Sequence, residues 1–213
     1  MKYAVKEVFY TLQGEGFHAG RAAVFVRFSG CNLWNGLESG RTSGAGVCAR
    51  WCDTDFVGTG GTDGGVYDCA SLVDVVSRSW PDDAGGEPMV VLTGGEPTLQ
   101  VDDNLISALK GSGFYVAMES NGTRLAPRGL DWLCISPKGG SLLAQMEADE
   151  LKVVFPQDDI YPERYEALGF GRLSIQPRDG ELLAENTALC VSFCLRRPRW
   201  RLSVQVHKAV GLR

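Results

Sequence analysis

Three cysteines near the start of the chain, Cys31, Cys48 and Cys52, follow the spacing C-x16-C-x3-C. Thiolates are soft ligands. Three of them can hold three corners of a [4Fe-4S] cube and leave the fourth iron open to a ligand from outside the protein. A small molecule offering an amine and a carboxylate could chelate that iron. Two plainer readings stand beside this one: a zinc site with His18 as fourth ligand, or thiols that bind nothing. His18 and His207 are the only histidines, so a multi-histidine centre is nearly excluded and any metal must lean on sulfur. Cys69, Cys134, Cys190 and Cys194 read as structural, the last two lying four apart on an expected helix.

Other polar residues recur at the ends of apolar runs. Ser29-Gly30-Cys31 closes one run, Thr93-Gly94-Gly95-Glu96-Pro97 a second, Glu119-Ser120-Asn121-Gly122 a third and Ser136-Pro137-Lys138 a fourth. Later runs end at Gln176-Pro177 and Gln205-Val206-His207-Lys208. In parallel α/β folds the carboxyl ends of the strands share one rim, and ligands bind there. Turn chemistry alone would explain the glycines and prolines, but not the Glu, Lys, Gln and His. Consecutive glycines at 94 and 95 let the backbone approach a ligand closely. Glu96 could accept from an amine, and Trp51 directly precedes Cys52.

The runs themselves have strand length and are rich in β-branched and aromatic residues. Strands are expected at 24–28, 89–93, 114–118, 133–136, 151–155, 173–176 and 202–206, with an earlier one near 5–10. Helices fit at 71–76, 103–111, 162–168 and 181–195. This alternation argues for an α/β fold with a mainly parallel sheet. Several linkers are too short for a helical crossover, so fewer helices than strands are expected. The segment 32–65, rich in Gly, Ser, Thr and Asp, reads as a long functional loop carrying the later cysteines.

The strand–loop cysteine triplet, the aromatic before its last member and the GGEP segment together resemble the radical S-adenosylmethionine superfamily. Both cysteine intervals exceed that superfamily's usual C-x3-C-x2-C. Trp51 and the run Cys52-Asp53-Thr54-Asp55 nevertheless stay in register. A narrower match comes from Thr11-Leu12-Gln13-Gly14-Glu15-Gly16, Gly20-Arg21, the stretch from Val24 to Trp34, Glu119-Ser120-Asn121-Gly122-Thr123, Ser136-Pro137-Lys138 and Gln205-Val206-His207-Lys208. From about residue 7 to the C-terminus the chain resembles the 7-carboxy-7-deazaguanine synthases.

The resemblance implies a modified, partial (β/α) barrel, a [4Fe-4S] cluster, S-adenosyl-L-methionine and Mg2+. It also implies the radical ring contraction of 6-carboxy-tetrahydropterin to 7-carboxy-7-deazaguanine with loss of ammonia, a step of queuosine and other 7-deazapurine biosynthesis. By resemblance Cys31, Cys48 and Cys52 hold the cluster and Thr54 a magnesium ion. Trp51, Thr93, Gly94, Gly95, Glu96, Glu119, Asn121, Ser136, Lys138 and Gln176 face the cofactor. Leu12, Gln13, Gly14, Glu15, Arg27, Thr93, Gly95, His207 and Arg213 face the pterin. Arg27 interrupts an apolar strand on the face shared with Ala23 and Phe25. It needs an anionic partner, either a substrate carboxylate or an acidic side chain. A flavodoxin or ferredoxin donor and a homodimer are further family expectations. Another radical enzyme, such as a glycyl-radical activase, and a non-enzymatic iron–sulfur or zinc protein remain as alternatives.

The 213 residues suit a single domain, 1–213, with the cluster loop at about 30–65. A net charge of -5 argues against a protein built to hold nucleic acid. Arg196, Arg197, Arg199 and Arg201 read as cations at a helix C-terminus rather than a nucleic-acid patch. The N-terminus lacks a signal core and no long apolar run suggests a membrane span, so a cytoplasmic location is expected.

Overall fold

The structure, a computed structural model, describes residues 1–43 and 46–212. Among the described residues nine strands form one sheet in the order β3-β1-β2-β4-β5-β6-β7-β8-β9. They are β1 (Tyr3–Leu12), β2 (Ala22–Phe28), β3 (Gly65–Tyr67), β4 (Met89–Gly94), β5 (Tyr115–Ser120), β6 (Trp132–Ile135), β7 (Glu147–Phe155), β8 (Gly169–Pro177) and β9 (Trp200–Leu202). From β2 onward every neighbouring pair is parallel. β1 runs antiparallel to both β2 and β3.

Five α-helices accompany these strands among the described residues: α1 (Glu38–Ser43), α2 (Cys69–Ser79), α3 (Asp103–Gly111), α4 (Leu183–Arg196) and α5 (Val206–Ala209). The fold is thus the expected mainly parallel α/β sheet with fewer helices than strands. α2 starts two residues before the expected 71, because Asp68 rather than Ser71 is its N-cap. The Asp68 carboxylate accepts from the Ser71 N–H in a reciprocal capping box. Asp102 caps α3, its carboxylate accepting from the Leu105 N–H.

Three expectations need correction. The expected helix at 162–168 is only a 3-10 turn, Pro162–Tyr165, with Gly169 already opening β8. The expected last strand at 202–206 is replaced by β9 ending at Leu202, then α5 from Val206. Ser203 N–H makes one last ladder bond to Ile175 O and its hydroxyl donates to Gln176 Oε1, after which Val206 N turns to Gly14 O. β3 was not anticipated; it is three residues long and borders β1 through the end of the glycine-rich loop.

Strand alternation divides the sheet into two faces. Val24, Val26, Phe28, Val90, Leu92, Val116, Met118, Leu151, Val153 and Ile175 point to the helix side. There they form the main core with Leu72, Val76, Leu105, Leu109, Cys190 and Phe193. Burying each such side chain contributes about 1.5–3 kcal/mol, so this face dominates stability. The opposite face holds a smaller cluster, Ala23, Met89, Val91 and Ala117 with Phe25, Tyr115 and Trp132. Beyond it, toward the carboxyl ends of the parallel strands, that face becomes polar.

Candidate active site

The polar half of this second face lines a cavity of about 330 Å³. Arg27 of β2, Thr93 and Gly94 of β4, Glu119 and Ser120 of β5, Lys152 and Val154 of β7 and Gln176 of β8 all contribute to its wall. Gly95, Asn121, Ser136 and Lys138 follow directly after their strands and join them. Leu12, Gln13, Gly14 and Glu15 come from the end of β1, and His207 from α5. Cys31, Cys48, Trp51, Cys52 and Thr54 close one side. Residues expected at one rim from their positions after successive strands are therefore brought together.

Two expected residues are not among the lining. Arg213 lies outside the described residues. Glu96 is fully buried and its carboxylate is engaged inside the protein. Oε1 accepts from Thr98 N, Thr98 Oγ1 and Ser120 Oγ at 3.0, 2.5 and 2.8 Å, and Oε2 accepts from Asn121 N at 2.8 Å. Glu96 thus ties the end of β4 to the end of β5. The glycines before it meet backbone as well as cavity. Gly94 has φ +139°, and a Cβ there would sit 2.3 Å from Phe28 O.

The three thiols sit in an apolar nest of Trp34, Ala49, Phe56, Leu33 and Trp51. Cys52 N donates to Cys48 O at 2.9 Å, closing one turn of chain. Residues four apart on such a turn lie on the same side, which accounts for the x3 interval. Arg41 holds the loop by donating to Ala49 O and Cys52 O at 2.9 and 2.8 Å. A hydrogen bond from the Cys48 thiol brings the Cys52 pKa down to about 6, against burial, which raises it. Cys48 is correspondingly raised, chiefly by that same bond. Leu33 N lies 3.4 Å from Cys31 Sγ. A thiolate at neutral pH, backbone N–H groups aimed at sulfur and a dry surround are a donor set that fits an iron–sulfur cluster. Among the described residues no three His, Cys, Asp or Glu side chains are grouped so as to hold a single metal ion. His18 is far from forming a fourth ligand here: it stands edge-on to Phe17, Tyr115 and Trp132 at 5.1, 5.5 and 4.7 Å.

On the same lining, the end of β1, β5 and β7 bring charges together. Lys152, whose side chain is 3% exposed, places Nζ 2.6 Å from Glu15 Oε2 and 3.3 Å from Glu119 Oε2. Gln13 Nε2 donates to Glu119 Oε1 at 2.9 Å, and Gln205 Nε2 to Glu15 Oε1 at 2.8 Å. Burial works against the Glu15 carboxylate, but Lys152 and Gln205 outweigh it and hold its pKa down to about 2. Burial also opposes the Lys152 ammonium, and Glu119 and Glu15 hold its pKa well above the ordinary lysine value. Arg27 gives Nε to Glu7 Oε1 at 2.9 Å while still lining the cavity, so it has the acidic neighbour considered from sequence and also faces the space a ligand would fill. Lys138 folds back, its Nζ 2.8 Å from Ser136 O and 2.7 Å from Ser136 Oγ, and stands 5.8 Å from the centre of the Trp51 ring.

No protein-family model matches the chain. Two curated relatives, from Bradyrhizobium diazoefficiens and Caulobacter vibrioides, are 56% and 53% identical to it and are called 7-carboxy-7-deazaguanine synthase; each is covered over its full length by all of this chain. The chain belongs to the 7-carboxy-7-deazaguanine synthase family. The crystal structure of QueE from Escherichia coli superposes with a TM-score of 0.69 at 27% identity, over 97% of this chain and 95% of that one. Membership in the synthase family makes this a radical S-adenosylmethionine enzyme, and the fold agrees with that of a solved member.

Several cavity residues escaped the sequence reading. Lys152 and Glu7 were passed over inside strand segments. Arg178 and Asp179 also line the cavity, as do Asp53, Gln205 and Lys208, which the sequence placed only within motifs. Lys208 Nζ bridges Asp53 Oδ2 and Asp179 Oδ2, each at 2.6 Å, and so pins α5 beside the cysteine loop. The signal for Lys152 was present: a lysine within the otherwise apolar run 151–155, the same anomaly that singled out Arg27.

Proposed function

We infer that the chain catalyses the ring contraction of 6-carboxy-5,6,7,8-tetrahydropterin to 7-carboxy-7-deazaguanine with loss of ammonia, in queuosine and 7-deazapurine biosynthesis. The observation that carries this reading is one cavity lined at once by three thiols, an arginine and a set of carboxylates and amides. A [4Fe-4S] cluster with S-adenosylmethionine supplies one-electron radical chemistry when bound. Cys31, Cys48 and Cys52 are the residues that hold it.

The remaining residues bind, orient and shield. Trp51, Gly94, Gly95, Asn121, Ser136, Lys138 and Gln176 border the thiol side and are assigned to the cofactor, with Thr93 and Glu119 between the two ligands. Glu96 braces that rim from below. Leu12, Gln13, Gly14, Glu15, Gly95 and His207 are assigned to the pterin. Gln13 offers a donor and an acceptor, whereas ionised Glu15 only accepts, which suits the N–H edge of a pterin. Arg27 supplies the positive charge for the substrate carboxylate, in a charge-assisted pair. Thr54, beside Cys52 on the lining, is assigned to magnesium, a hard cation that keeps several outside ligands. A flavodoxin or ferredoxin donor, a homodimer and a cytoplasmic location come with the family reading. Among the described residues, no helix is long and apolar enough to cross a membrane.

The test is anaerobic reconstitution with iron and sulfide, followed by mass analysis of products formed with substrate, S-adenosylmethionine and a reductant. Formation of 7-carboxy-7-deazaguanine is expected. A cluster-loaded protein that cleaves S-adenosylmethionine yet leaves the carboxy-pterin intact would overturn the assignment.

A further inference from the structure

We propose that Lys152 is a positioning residue that fixes Glu15 and Glu119 as two acceptor groups, making this wall of the cavity selective for a ligand edge that carries hydrogen-bond donors. The proposal rests on the functional reading above and adds a residue that the reading does not include.

Lys152 lies on β7 between Leu151 and Val153, both buried in the main core, and therefore points to the other face. A charge at such a position is costly unless it is paired and hydrogen-bonded. Here the pairing is unequal: one ammonium serves two carboxylates, at 2.6 and 3.3 Å. Glu15 and Glu119 are each about a fifth exposed, at 17% and 24%, whereas Lys152 is 3% exposed, so the acids sit nearer the open space than the cation behind them. Their second oxygens are oriented by the side-chain amides of Gln205 and Gln13. Every contact made to these two acids within the protein is a donor. The pair cannot turn away or share a proton while the ammonium is present, since two carboxylates without a cation between them do not both stay ionised. What faces the cavity is then a wall of acceptors with one uncompensated negative charge. Such a wall favours a ring edge made of N–H groups and repels one made of lone pairs. The other ionisable groups around this charged set are Cys134 and Lys138 toward Lys152, His207 toward Glu15, and buried Glu150, two residues along β7 on the same face, whose carboxylate is taken by Phe17 N and Ser174 Oγ.

The test uses the full chain and pterin-6-carboxylate, an unreactive aromatic analogue, titrated calorimetrically across the neutral and mildly acid range. Lys152→Met is expected to bind about tenfold to a hundredfold more weakly, with affinity now falling as pH drops, because one of the two acids takes up a proton. Adding Glu119→Gln to that variant is expected to remove the new pH dependence while leaving binding weak. Should Lys152→Met not fold, the double variant is compared with Glu119→Gln alone, and a loss of about tenfold on removing Lys152 is expected. Equal affinity in that comparison, or an unchanged affinity and pH profile in Lys152→Met, overturns the proposal. A purely structural lysine would lower melting temperature without introducing a pH dependence in binding, which also overturns it. If the unaltered protein does not bind pterin-6-carboxylate, the substrate reading fails instead.

Discussion

Arg27 Nε stands 2.9 Å from Glu7 Oε1, and the two residues face each other across the antiparallel β1–β2 pair. Glu7, 7% exposed, anchors one nitrogen of the guanidinium, and the side chain is held in the cavity wall rather than left free to rotate. A fixed, permanently charged fork suits a carboxylate. Arg27→Ala is expected to weaken binding of pterin-6-carboxylate about a hundredfold. Binding of the same pterin without its carboxylate should change little. Calorimetric titration with both ligands checks this; equal losses for the two would show that Arg27 does not read the carboxylate.

Cys31→Ala, Cys48→Ala and Cys52→Ala are each expected to abolish stable cluster incorporation while leaving the sheet folded, because the main core lies on the other face. Iron and sulfide analysis after anaerobic reconstitution reads the first effect, and circular dichroism the second. Full iron content and activity in Cys48→Ala would remove that residue from the ligand set.

At Gly14 a Cβ would lie 1.9 Å from His207 Nδ1, and Gly14 O accepts the N–H of Val206 at 2.9 Å. Gly14→Ala must therefore push the His207 side chain aside, against the bond that holds α5 to Gly14. A destabilisation of about 1–3 kcal/mol is expected, together with loss of substrate binding. Adding His207→Ala should restore much of the stability but not the binding. Thermal melts and a ligand titration on the single and double variants separate the two effects.

The folded-state pKa of Glu15 is about 2, below its ordinary 4.5. A depressed carboxyl contributes stability that is fully present above pH 4.5 and is lost as pH falls toward 2. The melting temperature should accordingly drop on acidification through that window. Glu15→Gln should start lower at neutral pH and show a shallower drop. Parallel slopes for the two proteins would mean that the Lys152–Glu15 pair does not govern acid stability.

Much of this arrangement was legible before the fold was known. Runs such as 89–92, and 24–28 broken only by Arg27, are apolar segments of strand length, and the residues that follow them, Cys31 and Thr93 to Gly95, had to meet at a shared rim once the strands were parallel. Less legible was what depends on pairing between distant residues. Glu96 was expected to be offered to a ligand, but Thr98, Ser120 and Asn121 occupy its carboxylate. The strand expected at 202–206 had the right hydrophobicity, but after Ser203 the chain turns to pair with the distant Gly14 instead of β8, which no local pattern announces. Lys152 was hidden because Leu151, Val153, Val154 and Phe155 made the segment read as core. Its meaning appears only when Glu15 and Glu119 are seen beside it.

The segment around Gly14 to Phe17 is tied almost wholly to the far end of the chain. Glu15 meets Lys152 and Gln205, Gly16 N donates to Ser203 Oγ, Phe17 N to Glu150, and these bonds span 137, 190, 187 and 133 positions along the chain. Contacts of such separation carry the largest loop-closure cost and form late. During synthesis the central parallel strands can assemble while the first residues still wait for residues 203–206 to emerge. The wall assigned to the pterin can therefore be completed only once those last residues have left the ribosome.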